Sequence, residues 1–321
     1  MKDEREGNGD TETRRHGDTE TKAKSSHHRL PSSTDSVATS SPVSSVSESP
    51  RQSFHRSKRF GQNFLTDQRI IDRIIAAFGP RADETILEIG PGRGALTAHL
   101  LERAGSVIAI EFDRNLIPLL TEKFGAKKNF KLVQSDALVT DVCDLIRPAK
   151  QSRVVANLPY NVGTAILQRL IEQRHCLSEM VLMLQKEVVE RITAPAGSGN
   201  RGYLSVFVQT YCETERLFEV APSSFRPAPK IWSTVLRLRL RPQLNLDEKD
   251  EKLLWQVVSA GFAQRRKTIL NNLRNSSPPL QAIVKSHGGA SIMLCQAEVD
   301  LQRRAETLTL EEWLRIVRVL E

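Results

Sequence analysis

From Thr85 to Gln185 the chain alternates short apolar runs with amphipathic ones, and this alternation limits the folds open to it. Thr85–Ile89, Val107–Glu111, Phe130–Gln134, Arg153–Asn157 and Met180–Gln185 have strand length. Between them, Ala95–Arg103, Leu116–Phe124 and Thr164–Gln173 carry helical spacing. Strands alternating with helices predict βαβ units, hence an α/β fold whose mainly parallel sheet is covered on both faces. Upstream, Ile70, Ile71, Ile74, Ile75 and Phe78 fall on one helical face, with Thr66 or Asp67 to cap it and Gly79-Pro80 to stop it. Tyr203–Gln209 and Ser233–Leu240 read as later strands. Beyond Pro242 the pattern turns helical, over Leu253–Phe262, Lys267–Leu273 and Leu310–Leu320, with loops between.

The first 57 residues have a different character. They are polar and charged to Lys24 and dense in Ser and Pro afterwards, too poor in apolar groups to offset the entropy of ordering. We read 1–57 as a disordered tail, 58–242 as the α/β domain and 243–321 as a small helical domain. The tail carries no net charge, so the whole excess of +8 lies on residues 58–321. A basic folded body points towards nucleic acid or another polyanion. No stretch approaches the ~20 apolar residues of a membrane span, and no apolar run follows a basic start as in a secretory signal. Cys143, Cys176, Cys212 and Cys295 lack CxxC spacing. They are expected to be buried small apolar residues, with neither a zinc site nor a disulfide framework, in a reducing cytoplasm.

In open α/β sheets, ligands bind beyond the carboxyl ends of the strands, where this sequence places its unusual residues. Glu88-Ile89-Gly90-Pro91-Gly92-Arg93-Gly94 joins the first strand to its helix. Glycines there let the backbone turn tightly and approach a ligand. The spacing is GxGxG, without the sixth-position glycine of a dinucleotide site. Glu111 ends the next strand, where a carboxylate can accept both ribose hydroxyls. Asp136 follows the third strand, placed to accept an exocyclic amine. Together they outline an adenosyl pocket without a phosphate requirement.

Asn157-Leu158-Pro159-Tyr160 ends the fourth strand. A planar amine such as adenine N6 is a poor nucleophile, because its lone pair is delocalised into the ring. The Asn157 side-chain oxygen and the Leu158 carbonyl can accept both amine hydrogens and localise that pair. Pro159 fixes the turn, and Tyr160 offers a face on which a base can stack.

These motifs resemble the small-subunit rRNA adenine N6-dimethyltransferase family. The resemblance runs from Lys58 to about Arg318. It includes Lys58-Arg59-Phe60-Gly61-Gln62-Asn63-Phe64-Leu65, the Glu88–Gly94 turn, Asn157–Asn161, Leu184–Val188 and Tyr203–Val206. It continues through Phe225-Arg226-Pro227-Ala228-Pro229-Lys230, Phe262-Ala263-Gln264-Arg265-Arg266-Lys267-Thr268 and Arg304–Leu308. The tail has no counterpart in it.

The resemblance implies a class I, Rossmann-like methyltransferase fold with a seven-stranded sheet and a small C-terminal helical domain that binds rRNA. It implies S-adenosylmethionine as methyl donor and no metal. Gln62, Asn63 and Leu65 would cover the donor, and Gly90 and Gly92 line its pocket. Glu111 would hold the ribose, Asp136 and Ala137 bracket the adenine, and Asn157 lie by the methyl. Phe225 would be a second aromatic face for the target base. The implied substrate is two adjacent adenosines in a hairpin loop near the 3′ end of small-subunit rRNA, within a pre-30S particle. The implied enzyme is a cytoplasmic monomer with no membrane association. Arg226, Lys230, Arg265, Arg266 and Lys267 are candidates for the RNA backbone. The last three are expected to open a helix, where cations oppose the dipole unless an anion is bound. Two rival readings stand beside this one: a large-subunit rRNA methyltransferase conferring antibiotic resistance, and a non-catalytic RNA-binding assembly or transcription factor. The intact Glu111, Asp136 and Asn157–Tyr160 set argues against the second.

Overall fold

The structure, a computed structural model, describes residues 62–241 and 246–321. The tail, the first four residues of the Lys58–Leu65 motif and the boundary expected at 242/243 lie outside them.

The chain opens with β1 (Phe64–Leu65), α1 (Gln68–Phe78), β2 (Thr85–Ile89), α2 (Thr97–Leu101), β3 (Ser106–Glu111), α3 (Ile117–Phe124) and β4 (Phe130–Gln134). It continues with α4 (Val142–Leu145), β5 (Ser152–Asn157), α5 (Gly163–Glu172), β6 (Leu177–Gln185), α6 (Lys186–Ile192) and α7 (Tyr203–Tyr211). Then come β7 (Cys212–Val220), β8 (Phe225–Arg226), β9 (Ser233–Leu240), α8 (Glu248–Gly261) and α9 (Ile269–Arg274). Finally come α10 (Pro278–Ser286), α11 (Ala290–Gln296) and α12 (Leu310–Arg318).

Seven strands form one sheet in the order β4-β3-β2-β5-β6-β9-β7. β2 to β6 run parallel, and β9 lies antiparallel between β6 and β7. The strand order reverses between β2 and β5, so a crevice opens at their carboxyl ends. The parallel strands read as continuous apolar runs because both faces are covered. Leu87, Ile89, Ile108, Ile110, Val154 and Ala156 enter one core, and Ile86, Val107, Val155, Val181 and Met183 the other. Helix α1 packs Ile70, Ile71, Ile74, Ile75 and Phe78 into that second core. Of the two expected caps, Asp67 is used, accepting from the Arg69 amide, and Gly79 ends the helix with φ 60°.

Tyr203–Gln209 is helical, not a strand. Leu204, Phe207, Val208 and Tyr211 of α7 enter one sheet core, while Val206 enters the core of the C-terminal helices. A short helix packed between two cores, its Ser205 and Gln209 turned to the carbonyls of Arg191 and Ile192, by length alone looks like a buried strand. Its start is marked by the Gly202 amide donating to Ser205 Oγ at 2.9 Å. The strand that follows, β7, was hidden by its charges. Glu213 and Glu215 stand opposite Arg239 and Arg237 of β9, and Glu215 pairs with Arg237 at 2.8 Å.

The C-terminal helices share a core around Trp313, Leu254, Val257, Leu273, Met293 and Ile316. It includes α10 and α11, in a stretch read as loop from the sequence. A cluster of Tyr203, Phe207, Tyr211 and Trp255 joins α7 to α8, with ring centroids 5.0–6.0 Å apart.

The cysteine expectation needs correction. Cys143 and Cys176 are joined by a disulfide, and Cys295 is exposed; Cys212 is buried as expected. The fold brings α4 against the segment before β6, a proximity that a separation of 33 residues does not reveal. Cysteine usage therefore gives no argument for a reducing compartment. Among the described residues no helix is long and apolar enough to cross a membrane.

Candidate active site

The carboxyl ends of β2, β3, β4 and β5 and the segment before α1 enclose a cavity of two lobes. Gln62, Asn63, Leu65, Gly90, Gly92, Glu111, Asn157, Leu158, Pro159 and Tyr160 line the first. Asp136, Ala137, Phe112 and Ile166 line the second, which shares Gln62, Gly90, Glu111 and Pro159. The residues expected at a donor site thus converge from five stretches of chain.

The turn after β2 has the geometry its glycines allow. Gly90 and Gly92 stand at φ 68° and 59°, where a side chain would be strained. A Cβ on Gly92 would also lie 3.1 Å from the Phe64 ring. Glu111, 4 % exposed, closes the floor. Its carboxylate accepts from the Gly92 amide at 3.2 Å and from the Asp113 amide at 2.8 Å. These two bonds tie the turn to the end of β3 and fix the carboxylate plane. Burial raises the Glu111 pKa, and the backbone amides of Asp113, Gly92 and Phe112 act against that rise. A carboxylate has about four lone-pair sites, so two amides leave capacity for further donors. Asp136 accepts from the Leu138 amide at 2.9 Å, which orients it at the second lobe.

Asn157 ends β5, and its Nδ2 donates to the Asn63 carbonyl at 3.1 Å. The Leu158 amide donates to Met183, and the Pro159 carbonyl accepts from Gly163 at 2.8 Å, which starts α5. The Tyr160 hydroxyl meets Ser233 Oγ at 2.6 Å, fixing the ring beside the cavity. Burial pushes the Tyr160 pKa up, opposed by Ser233, so the phenol stays neutral.

Phe225 is a correction. It is fully buried in the second core rather than open as an aromatic face, and it lines neither lobe. β8 pairs with β1, setting Phe225 opposite Leu65, so the residue anchors the segment that carries Gln62 and Asn63. The basic run is a second correction. Arg265, Arg266 and Lys267 lie in an exposed turn before Thr268, the cap of α9, and not inside a helix. Arg265 donates to the Gly199 carbonyl. Arg226 and Lys230 are exposed, and Arg226 donates to the Ser223 and Phe225 carbonyls at 3.2 and 3.0 Å. These five cations do not line the cavity.

Several residues acquire roles that sequence reasoning did not give them. Glu88 is buried against Thr97, whose hydroxyl donates to it at 2.7 Å. Its pKa is pushed up to about 8, chiefly by burial, with Glu111 adding to the rise. Phe64 walls the first lobe with the Arg93 guanidinium 4.8 Å above its ring. Ser233 holds Tyr160. For Glu88 and Phe64 the signal was their place inside quoted motifs; for Ser233 there was none. Among the described residues, Cys143, His175 and Cys176 are the metal-capable side chains that come together, and the two sulfurs are bonded to each other.

Comparison with known proteins identifies the family. The chain is 43% identical over 272 residues to the ribosomal RNA small subunit methyltransferase A of Saccharophagus degradans, covering 84% of this chain and 97% of that one. It is 43% identical over 267 residues to the protein of that name from Pseudomonas aeruginosa, covering 83% and 95%. The fold matches a dimethyladenosine transferase from Plasmodium falciparum with a TM-score of 0.65 at 24% identity, covering 79% and 95%. It also matches the 23S rRNA methyltransferase ErmE, with a TM-score of 0.60 at 27% identity, covering 80% and 99%. The family model for ribosomal RNA adenine dimethylase matches residues 53–319. With that match spanning most of its length, the chain belongs to the ribosomal RNA adenine dimethylase family.

Proposed function

We propose that the chain transfers methyl groups from S-adenosylmethionine to N6 of two adjacent adenosines in the 3′-terminal hairpin loop of small-subunit rRNA, giving N6,N6-dimethyladenosines during assembly of the subunit. The observation that carries this reading is that Asn157–Tyr160 and Glu111 line one cavity. It acts in the cytoplasm, as a monomer, on a pre-30S particle.

The cavity suits the donor. Positive-φ glycines bring backbone close without side chains, and the fixed Glu111 carboxylate has lone pairs left for two ribose hydroxyls. Asp136 and Ala137 take the adenine in the second lobe, while Gln62, Asn63 and Leu65 cover the first. The donor supplies a methyl on a sulfonium, an electrophile that needs no metal.

Tyr160 takes the face of the flipped adenine. Asn157 Oδ1 and the Leu158 carbonyl accept the amine hydrogens and draw the lone pair out of the ring. With the donor bound, the nitrogen lone pair would form the new N–C bond while the electrons of the C–S bond stayed on sulfur. The amine, now cationic, loses its proton to water, so no strong base is required. Alignment and preorganised acceptors then supply most of the rate. The C-terminal helices 246–321 and the cations Arg226, Lys230, Arg265, Arg266 and Lys267 hold the flanking RNA backbone.

The fold match to ErmE supports a second reading, methylation of large-subunit rRNA. The higher identity to the proteins named for the small subunit favours the first. Unmethylated small and large subunits, incubated with labelled donor and mapped by digestion, separate the two. Two neighbouring dimethyladenosines in the small-subunit hairpin are expected. Methyl incorporated only into the large subunit, or into neither, overturns the proposal.

A further inference from the structure

Trp232 is the most exposed aromatic group in the loop between β8 and β9. It is 49 % exposed, whereas Trp313 is fully buried and Trp255 is half-buried in the α7–α8 cluster. A tryptophan left in water forgoes a large burial gain, so a surface that keeps one invites a partner. Its neighbours repeat the signal. Ile231 is 38 % exposed, and Lys230 is exposed. The stretch Phe225–Trp232 holds two cations and no acid.

The position of this residue is fixed. Its carbonyl accepts from the Lys186 amide at 3.0 Å, at the carboxyl end of β6. The next residue, Ser233, holds the Tyr160 hydroxyl at 2.6 Å. β5 and β9 are separated by β6 alone, and the register sets Asn157 in line with Met183 and Val235. At the usual strand spacing and rise, the Trp232 backbone therefore stands ~10 Å across the sheet and ~10 Å further along it from that of Asn157. It therefore lies at the same carboxyl edge of the sheet as Asn157, next in the chain to the residue that holds Tyr160.

We propose that Trp232 is a stacking platform for an unpaired RNA base next to the one held at Tyr160, and that it helps to set which loop the enzyme accepts. The proposal rests on the RNA-methyltransferase reading above and deepens it. A substrate with two adjacent unpaired purines presents a neighbour whenever one base is drawn into the pocket. An exposed indole beside cations is the chemistry that holds such a base without reading its edge.

The test uses the full chain and unmethylated small subunits. Trp232→Ala should raise KM for the subunit about tenfold, within the range for losing one stacked base, and leave kcat and donor affinity within twofold. Trp232→Phe should restore most of the loss. A photo-crosslinking benzoylphenylalanine placed at Trp232 should join to rRNA beside the methylated adenosines. Unchanged KM in Trp232→Ala, or crosslinks only to a ribosomal protein, overturns the platform. The wider reading fails differently, through a wild-type chain that methylates no small-subunit rRNA. The crosslink then still reports whether position 232 meets RNA.

Discussion

The carboxamide of Asn157 donates from Nδ2 to the backbone carbonyl of Asn63, 3.1 Å away and 94 positions earlier in the chain. A carbonyl only accepts, so the nitrogen end of the amide must face Asn63 and the oxygen end is turned away from it. One bond thus sets the rotamer of the residue proposed to polarise the target amine. It also ties the end of β5 to the segment that lines the first lobe of the cavity.

That segment depends on Phe225. Its backbone pairs with Leu65, and Ser224 beside it accepts from the Thr66 amide at 2.9 Å. Phe225→Ala should destabilise the protein by about 3–5 kcal/mol through a core cavity, read as a fall in the denaturation midpoint. Phe225→Leu, which conserves most of the volume, should keep near wild-type activity at temperatures where it stays folded. A stable Phe225→Leu protein with a large loss of activity would restore the stacking role that burial argues against.

Glu111 ties the turn to the end of β3 and is proposed to hold the donor ribose. Glu111→Ala should weaken donor binding by ~1.5–3 kcal/mol, the scale for hydrogen bonds to a charged group, as read by calorimetric titration. Glu111→Gln keeps acceptors in both directions only in part and should fall between. An unchanged dissociation constant in Glu111→Ala would remove the residue from the donor site.

Glu88 makes stability depend on pH. Its folded pKa, about 8, lies above the ordinary 4.5, so the folded protein holds a proton that the unfolded chain releases. Stability from this group is full below about 4.5, declines as pH rises towards 8 and is level above it. The slope for one proton reaches at most ~1.4 kcal/mol per pH unit. Glu88→Gln, which still accepts from Thr97, should lack this decline. Denaturant titrations of both proteins between pH 5 and 8 should diverge steadily, with the variant relatively more stable at the higher pH. Parallel curves would place the Glu88 proton elsewhere.

Much of this was legible in the sequence, for a physical reason. β2, buried on both faces, is written as a nearly uninterrupted apolar run, and β9 as an apolar alternation, so β2, β4 and β9 match their expected limits residue for residue. Glycines at Gly90 and Gly92 mark positive φ because other residues are strained there. What stayed hidden depends on tertiary neighbours. α7 lies between two cores and by length looks like a strand; β7 is masked by glutamates whose arginine partners stand on β9. Phe225 reads equally well as an open face or a core anchor until β1 and β8 are seen to pair. Ser233 gains its contact with Tyr160 only through a separation of 73 residues.

The most direct test of the account is single-turnover methylation by Asn157→Ala at saturating donor and saturating small subunit. If Asn157 Oδ1 accepts an amine hydrogen, that bond strengthens as N6 becomes positive and belongs mainly to the transition state. The rate should fall by ~10²-fold or more, the scale for removing one preorganised partner, while RNA affinity changes little because backbone contacts carry it. A near wild-type rate, or a defect that disappears entirely at higher RNA concentration, would contradict the account.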